Sequence, residues 1–180
     1  MKFFTLAAAA AICAVFLFVS PTFAQVGPAA APYGTVEIER FAVGDGVTFP
    51  ENDLNELMAY LIVHFNDSRR FEKVFLSTDT AAQSAPARRA KISGTITKYA
   101  KGSRATRYLV GFGAGRTKLA ANVKVIDAET GNVLLEQSMD GHVRGGFFGG
   151  DTDSAKGGLA SDIIKSMTKK GYANNERLKK

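Results

Sequence analysis

Cysteine is almost absent from this chain: the only one among 180 residues is Cys13, and it lies inside an apolar run near the start. A single cysteine cannot form an internal disulfide, and its removal with that run would also exclude thiol catalysis and thiolate metal sites. Histidine is nearly as scarce, because only His64 and His142 are present, and neither has a second ligand at metal spacing. The folded protein must therefore depend on its hydrophobic core.

The first 24 residues predict a secretory signal. A lysine is followed by seventeen uncharged and mostly apolar residues, 3–19, and then by Pro21 and a small-residue site ending at Ala24. This order is typical of a signal peptide that is cleaved after Ala24. The alternative is an uncleaved anchor, since seventeen residues is the lower limit for a membrane span. We expect cleavage, leaving about 156 residues in the periplasm or outside the cell.

The mature chain is long enough for one domain with one core. Residues 25–34 are uncharged and rich in proline, glycine and alanine, which predicts a flexible tether. Residues 35–172 form the predicted domain, and 173–180 form a basic C-terminal tail. Strand-like alternation and helical spacing follow in the order strand, helix, four strands, helix. This order predicts an α+β fold with helices packed on a mostly antiparallel sheet. The predicted strands are 35–43, 73–78, 91–100, 118–126 and 133–143, and the first helix begins at about residue 54.

Polar residues before the apolar runs predict how the two helices start. Asp53 and Glu56 stand three apart and form a capping box for the first helix. Asp153 or Ser154 is the predicted cap of the second. Two glycines follow that cap, and each weakens a helix by about 1 kcal/mol relative to alanine. We therefore expect the firm part of the second helix to begin near Leu159.

The stretch from residue 91 to residue 143 resembles the bacterial envelope family known as domain-of-unknown-function family 4410. The order of elements is also similar, more distantly, to periplasmic assembly domains of the curli-secretion type. These resemblances imply an α+β envelope protein and assign no functional residues. The shared features are the strand 92–99, the Gly-Ser-Arg bend 102–104, the arginine-led GFGAG 111–115 and the Asp-x-x-Thr-Gly hairpin 127–131.

The glycine-rich run YLVGFGAGR, 108–116, is the first candidate ligand site. A dinucleotide fingerprint needs a third glycine where Arg116 stands and a helix after it, whereas a strand pattern follows. A phosphate loop needs Gly-Lys-Ser/Thr, which is missing. Gly111, Gly113 and Gly115 are therefore predicted to allow a bend or a close strand approach, and we predict no cofactor.

The run GGDTDSAKGGLASD is the second candidate site, because it resembles a calcium-binding loop. Asp151, Asp153 and Asp162 occupy its first, third and twelfth positions. Ala155 stands at the fifth position, however, and Lys156 stands where a glycine must turn the chain. We interpret the carboxylates as helix-capping groups and predict no metal site. With no nucleophile elbow or other complete catalytic motif, we also predict that the protein is not an enzyme.

The distribution of charge is the most distinctive property of the chain. Residues 80–126 carry ten basic and no acidic side chains, whereas 35–79 and 127–153 each carry a net charge of −5. Two arrangements fit this order: the basic stretch is paired with acidic strands beside it in the sheet, or it is exposed to an external anion. The candidate contact residues lie in the connection between two strands: Lys101, Arg104, Arg107 and Arg116.

These observations predict a non-catalytic binding or assembly module of the cell envelope. Its expected partner is an anionic envelope component or an envelope protein. The alternative is a membrane-active, lipid-binding protein that makes peripheral membrane contact through Phe147-Phe148, which lies between paired glycines. Nucleic acid is not expected as a partner, because the protein is predicted to work outside the cytoplasm.

Overall fold

The computed structural model describes residues 31–79, 88–101, 117–141 and 152–179, with only the backbone described for 152–154. Within these ranges, six strands form one sheet and two helices pack on it, so the predicted α+β fold is confirmed. Neither helix is both long enough and apolar enough to cross a membrane. The elements are β1 (Thr35–Ile38), β2 (Ala42–Val43), α1 (Glu51–Ser68), β3 (Lys73–Leu76), β4 (Arg89–Ala100), β5 (Lys118–Asp127), β6 (Val133–Asp140) and α2 (Thr152–Lys169).

The strands lie in the order β3-β1-β4-β5-β6, and β2 pairs with β4 further along that strand. β1 runs parallel to both β3 and β4, with α1 carrying the chain back between β1 and β3. β4 with β5, and β5 with β6, form long antiparallel ladders that hold most of the paired residues. The mostly antiparallel sheet and the predicted hairpin between β5 and β6 are therefore confirmed.

The two ends of the sheet join different parts of the chain. The first and last described residues lie at the same end of the sheet, here called the terminal end. There the Tyr33 N–H donates to the Tyr172 C=O at 3.0 Å. At the opposite end of the sheet, here called the distal end, β4 and β6 end and β5, α1 and α2 begin. There Ala100 pairs with Lys118, and the Gly141 N–H donates to the Leu119 C=O at 2.7 Å. β4 is 12 residues long, and a strand rises about 3.3 Å per residue, so about 40 Å separates the ends.

The core of the described residues lies between the helices and one face of the sheet. Alternate strand residues supply the sheet side, as the apolar–polar alternation predicts. The two helices supply residues at three- and four-residue spacing. Among the buried side chains are Val36, Ile38, Ile92, Ile96, Val123 and Val125 of the sheet, Leu54, Leu57, Met58, Leu61 and Phe65 of α1, and Leu159, Ile163 and Met167 of α2.

The strand predicted over 35–43 is interrupted. β1 ends at Ile38, and the chain pairs again only in the short β2. Between them the Phe41 side chain turns inward and is only 2% exposed. It packs on Gly94 of β4, where an added Cβ would lie 2.3 Å from the ring. The ring is buried where the strand is broken, and the missing side chain of Gly94 makes room for it.

The predicted capping box of α1 is wrong. The helix begins at Glu51, and its N-cap residue, Pro50, makes no side-chain capping bond. Asp53 and Glu56 therefore lie inside the helix, and both carboxylates contact Lys156 of α2 instead. A long-range ion pair has replaced the local contact that the spacing of these two residues suggests.

The predicted start of α2 is also wrong. The helix begins at Thr152, so residues 153–154 lie in its first turn rather than at its cap, and the start precedes Leu159 by two turns. One glycine inside the helix, Gly157, has a packing role. An added Cβ at Gly157 would lie 2.8 Å from Nε2 of His64, so this glycine allows α1 and α2 to approach closely.

The residues that follow α2 fold back onto the body, although a basic tail was predicted over 173–180. Residues 170–179, here called the C-terminal strap, cover the end of α1. The Leu178 N–H donates to the Arg69 C=O at 2.7 Å, and Arg70 Nη1 donates to the carbonyls of Asn174 and Asn175 at 2.6 and 2.7 Å. The strap is thus held against the terminal end of the molecule.

Candidate partner-contacting site

The described cations of the basic stretch fall into two groups. The first group lies on the terminal half of β4 and β5, and each of its members has a carboxylate within 4 Å. Internal pairing, one of the two arrangements that the charge order allows, therefore holds for this half. The pairs are Arg88–Asp127 at 3.1 Å, Arg89–Glu37 at 3.5 Å, Lys91–Glu39 at 2.7 Å and Lys124–Glu136 at 3.6 Å.

Strand register explains why this half is paired. In the parallel ladder of β1 and β4, Glu37 stands opposite Lys91, next to Arg89. In the antiparallel ladder of β5 and β6, Lys124 stands opposite Glu136. Opposite charges at directly facing positions attract across a sheet. The acidic strands on either side therefore neutralise the part of the basic stretch that they reach.

The second group lies at the distal end and consists of Lys98, Lys101 and Lys118. All three are exposed. Among the residues that the structure describes, none of the three has a carboxylate within 4 Å. Lys98 and Lys118 lie on the same strands as the paired cations. Whether a cation has a carboxylate partner therefore depends on its position along the strand. The described cations at the distal end therefore lack the close carboxylate partners that those of the terminal half have.

Only one of the four predicted contact residues can be located. Lys101 follows β4 at the distal end, whereas Arg104, Arg107 and Arg116 lie outside the described residues, as do the glycines of 108–116 and Phe147-Phe148. The connection that carries the three arginines is nevertheless bounded by residues 101 and 117, and the one with the phenylalanines follows residue 141. Both connections are therefore attached to the distal end.

A buried lysine joins the two helices at this end. Lys156 of α2 is fully buried, and its Nζ donates to Asp53 Oδ1 of α1 at 3.1 Å and also to the Glu56 carboxylate. The Tyr99 hydroxyl at the end of β4 donates to the other oxygen of Asp53 at 2.9 Å. The Phe49 ring packs edge-on against Tyr99, with centroids 4.4 Å apart. This cluster ties both helix starts to β4.

Hydrogen bonding outweighs burial in setting the charges of this cluster. Burial by itself favours the neutral lysine, but hydrogen bonds to Glu56 and Asp53 raise the pKa of Lys156 above its ordinary value. Burial likewise disfavours the carboxylate of Asp53, yet bonds from Lys156 and Tyr99, with the nearby charge of Lys101, lower the pKa of Asp53. The lysine stays protonated at neutral pH, which suits an ion pair and not a nucleophile.

A second buried network lies at the terminal end around Asp127, the last residue of β5. Its Oδ2 accepts from the Tyr33 hydroxyl at 2.7 Å and from Arg88 at 3.1 Å. Its Oδ1 accepts from the N–H groups of Glu129 and Thr130, at 2.9 and 3.0 Å, in the hairpin turn. The Arg88 guanidinium also lies 4.2 Å from the centre of the Tyr33 ring. One carboxylate thus joins the entering chain, β4 and the hairpin.

This network shifts two pKa values in opposite directions. Burial alone raises the pKa of Asp127, but hydrogen bonds from Tyr33, from the two turn amides and from Arg88 hold that pKa far below its usual range. Burial raises the pKa of Tyr33, and the hydrogen bond to Asp127 raises it further. At neutral pH the aspartate is ionised and the tyrosine is neutral, so the bond between them is charge-assisted.

Metal-binding geometry is not found in the described part of the chain, where no three His, Cys, Asp or Glu side chains converge. Of the calcium-like positions, Asp162 lies 3.5 Å from Lys165 and Asp151 lies outside the described residues. His64 stacks on Tyr60, with ring centroids 6.0 Å apart. The absence of a bound metal stays a prediction for the whole chain.

Sequence reasoning missed Lys156 and the Asp127 network. A usable signal for the first existed, because Lys156 is in line with Leu159, Ile163 and Met167 on the apolar stripe of α2. A lysine at such a position is expected to be buried and to find a carboxylate. No comparable pattern marks Tyr33, because its partner lies 94 residues away along the chain.

The fold places this protein in a structural class, the two-layer α+β domains with helices on a mixed sheet. The chain belongs to the family described as a domain of unknown function, DUF4410, whose match covers residues 48–144. The family resemblance carried by the strands and the hairpin is thereby confirmed. No curated protein matches the chain.

Two solved structures illustrate how widely this fold is shared. PelC from Paraburkholderia phytofirmans, solved as a dodecamer, is 17% identical over 77% of this chain and 89% of its own, with a TM-score of 0.51. Protein XCC0632 from Xanthomonas campestris, of family DUF330, is 9% identical over 79% of this chain and 89% of its own, with a TM-score of 0.50. At these identities the likeness concerns the fold alone.

Proposed function

We propose that this protein is a non-catalytic binding or assembly module of the cell envelope, and that it contacts an anionic envelope component through its distal end. Lys98, Lys101 and Lys118 form the described part of this contact. Arg104, Arg107 and Arg116 supply the rest, from the connection that starts and finishes there. Lysine provides point charges and arginine provides a planar fork for phosphate or carboxylate groups.

The observation that carries this proposal is the unequal pairing of one basic stretch. Cations on the terminal half of β4 and β5 already have carboxylate partners within 4 Å. Those at the distal end are exposed and have none among the described residues. An unpaired cluster of one sign raises the local concentration of oppositely charged partners. This difference supports an anion-contacting role for the distal end and not for the whole stretch.

The envelope location rests on the leader-like first 24 residues, with cleavage after Ala24, and periplasmic or secreted protein as the product. An assembly role is compatible with the fold, since PelC, which shares it, was solved as a dodecamer. The lack of any complete catalytic motif in the sequence favours binding over catalysis.

The test is a crosslinking pull-down from native envelopes, using the mature protein that begins at Gln25, with its intact mass recorded. Lys101, Arg104, Arg107 and Arg116 are changed together to serine. We expect the variant to fold normally by circular dichroism and to lose the partner. Capture by the wild type should weaken as salt rises, because attraction between exposed charges is screened beyond roughly 8 Å at physiological ionic strength.

A charge-preserving variant, K101R/R104K/R107K/R116K, is the matched control. Retention of the partner by this control attributes binding to positive charge, and its loss attributes binding to the arginine fork. Capture that is insensitive to salt, or that persists in the serine variant, contradicts the proposal. Such a result would favour hydrophobic contact through Phe147-Phe148, to be checked by changing both to serine.

A further inference from the structure

A second basic surface lies at the terminal end, about 40 Å from the distal end. It is formed by the C-terminal ends of α1 and α2 and by the C-terminal strap. All of its cations are exposed. Within the described ranges, none of them has a carboxylate within 4 Å. This surface, here called the strap surface, consists of Arg69, Lys169, Lys170, Arg177 and Lys179.

The strap surface is held in place by backbone contacts. The Leu178 N–H donates to the Arg69 C=O at 2.7 Å, which fixes the residues on both sides of Leu178 beside Arg69. The Asn174 side chain donates to the Arg70 C=O at 2.8 Å, and Arg70 donates back to two strap carbonyls. These contacts place Arg177 and Lys179, which flank Leu178, beside Arg69 at the terminal end.

Helix stability explains only part of this charge. Lys169 and Lys170 stand at the finish of α2, where cations favour the helix dipole by about 0.3–1 kcal/mol. Arg177 and Lys179 come after the helix, and the exposed Glu176 is the only acidic residue of the strap. These two cations therefore make no evident contribution to the fold, which leaves them available to an external anion.

The entry point of the chain indicates which anion this is. Arg88 Nη1 donates to the Ala31 C=O at 3.1 Å, and the Tyr33 N–H donates to the Tyr172 C=O at the base of the strap. All residues before Ala31, including the apolar run 3–19, therefore join the domain beside the strap surface. The strap surface is therefore the described surface next to the point where that run is attached, and its positive charge is complementary to phosphate head groups.

We propose that the strap surface binds the phosphate head groups of an anionic membrane. This contact is separate from the distal one, although it shares the predicted leader with the proposed function. Each cation near such a surface contributes about fivefold in affinity. Three cations together therefore account for on the order of a hundredfold.

Flotation with vesicles of phosphatidylglycerol and phosphatidylcholine tests this proposal on the full mature chain. In one variant Lys170, Arg177 and Lys179 are changed to serine, which leaves the Leu178 backbone bond intact. In the control Lys73, Lys124 and Lys165 are changed to serine, so that the net charge falls equally. These three cations already contact Phe75, Glu136 and Asp162 respectively. We expect about a hundredfold weaker binding by the first variant and a change of less than about twofold by the second.

Three results would overturn the proposal. In the first, the strap variant binds vesicles as the wild type does. In the second, the control variant loses as much affinity for vesicles as the strap variant. In the third, the wild type binds immobilised polyglutamate as well as it binds vesicles. The last result would assign the surface to an acidic polypeptide. The distal serine variant separates the two proposals, since loss of vesicle binding in that variant alone refutes the strap surface and leaves the distal contact standing. Loss in the strap variant alone supports the strap surface, and the pull-down then judges the distal contact.

Discussion

The terminal and distal ends of the sheet share two strands, yet they differ in how their charges are compensated. Lys91 and Lys124 are paired, whereas Lys98 and Lys118, on the same strands, are exposed without a carboxylate within 4 Å among the described residues. The length of β1 accounts for much of this difference. β1 has only four residues, and beyond Ile38 the neighbour of β4 is the uncharged β2. Along β4, the close carboxylate partners end with Glu39, one residue after β1, which lies 2.7 Å from Lys91.

The buried ionic networks at the two ends also connect different elements. The Asp127 network at the terminal end is built largely on the hairpin and the entering chain. The Lys156 cluster at the distal end joins two helices whose paired residues are 103 positions apart. The comparison teaches that each end is held together by its own ion pair, so the two can be weakened separately.

The largest effect is expected from breaking the distal cluster with Lys156→Met. Removing one partner of a buried ion pair leaves the other uncompensated, which costs about 3–5 kcal/mol. We expect the free energy of unfolding, measured in urea, to fall by about 3 kcal/mol. The double variant K156M/D53N removes the stranded charge and should recover at least half of the loss. A loss below about 1 kcal/mol would show that the cluster contributes little.

A smaller effect is expected at the terminal end from Asp127→Asn. Hydrogen bonds to a charged group contribute about 1.5–3 kcal/mol, so we expect a loss of about 2 kcal/mol at pH 7. Because the pKa of Asp127 is depressed in the folded state, its stabilisation is complete above the unfolded value of about 3.9 and is lost as the pH falls below it.

The unfolding free energies of the wild type and D127N should therefore converge as the pH falls below about 4. Tyr33→Phe is the matched control, since it removes one hydrogen bond and keeps the charge. It should cost about 1 kcal/mol and retain the acid dependence. A constant gap between the wild type and D127N down to acid pH would refute the role assigned to the carboxylate.

The smallest effect on stability, and the sharpest test of the comparison, comes from two matched pairs of lysines. K91S/K124S removes paired cations and should cost about 0–1 kcal/mol per pair. K98S/K118S removes unpaired cations on the same strands and should leave stability unchanged while weakening capture of the envelope partner. If both variants weaken capture equally, pairing does not divide the basic stretch into two functional parts.

Local patterns predicted much of the fold. The spacing of Leu54, Leu57 and Leu61 predicted α1, and alternation with the turn at 127–132 predicted the β5–β6 hairpin, because periodicity and turn residues act over short distances. The capping box failed for the opposite reason. Asp53 and Glu56 suit a cap by spacing, but their partner is Lys156, and no local rule indicates a residue so far along the chain.

The candidate site was predictable in outline only. The absence of acidic residues from 80–126 marks the basic stretch, but which cations are paired depends on strand register, and register depends on tertiary contacts. Lys101 could be placed at the distal end, whereas the exposure of Arg104, Arg107 and Arg116 stays a prediction. The contacts of the strap with Arg69 and Arg70 were likewise not predictable, because they join two helix ends that are far apart in the sequence.

The parallel pairing of β1 with β4 has a mechanical consequence. β1 takes the chain in at the terminal end, and β4 delivers it to the distal end, so tension between these points pulls the two strands along their length in opposite directions. Their ladder joins four residue pairs, from Thr35–Arg89 to Ile38–Ile92, and its hydrogen bonds would be loaded in shear. Bonds sheared together must fail together, whereas bonds pulled across a ladder open one at a time. A molecule held at both ends would therefore resist stretching along the direction of its strands.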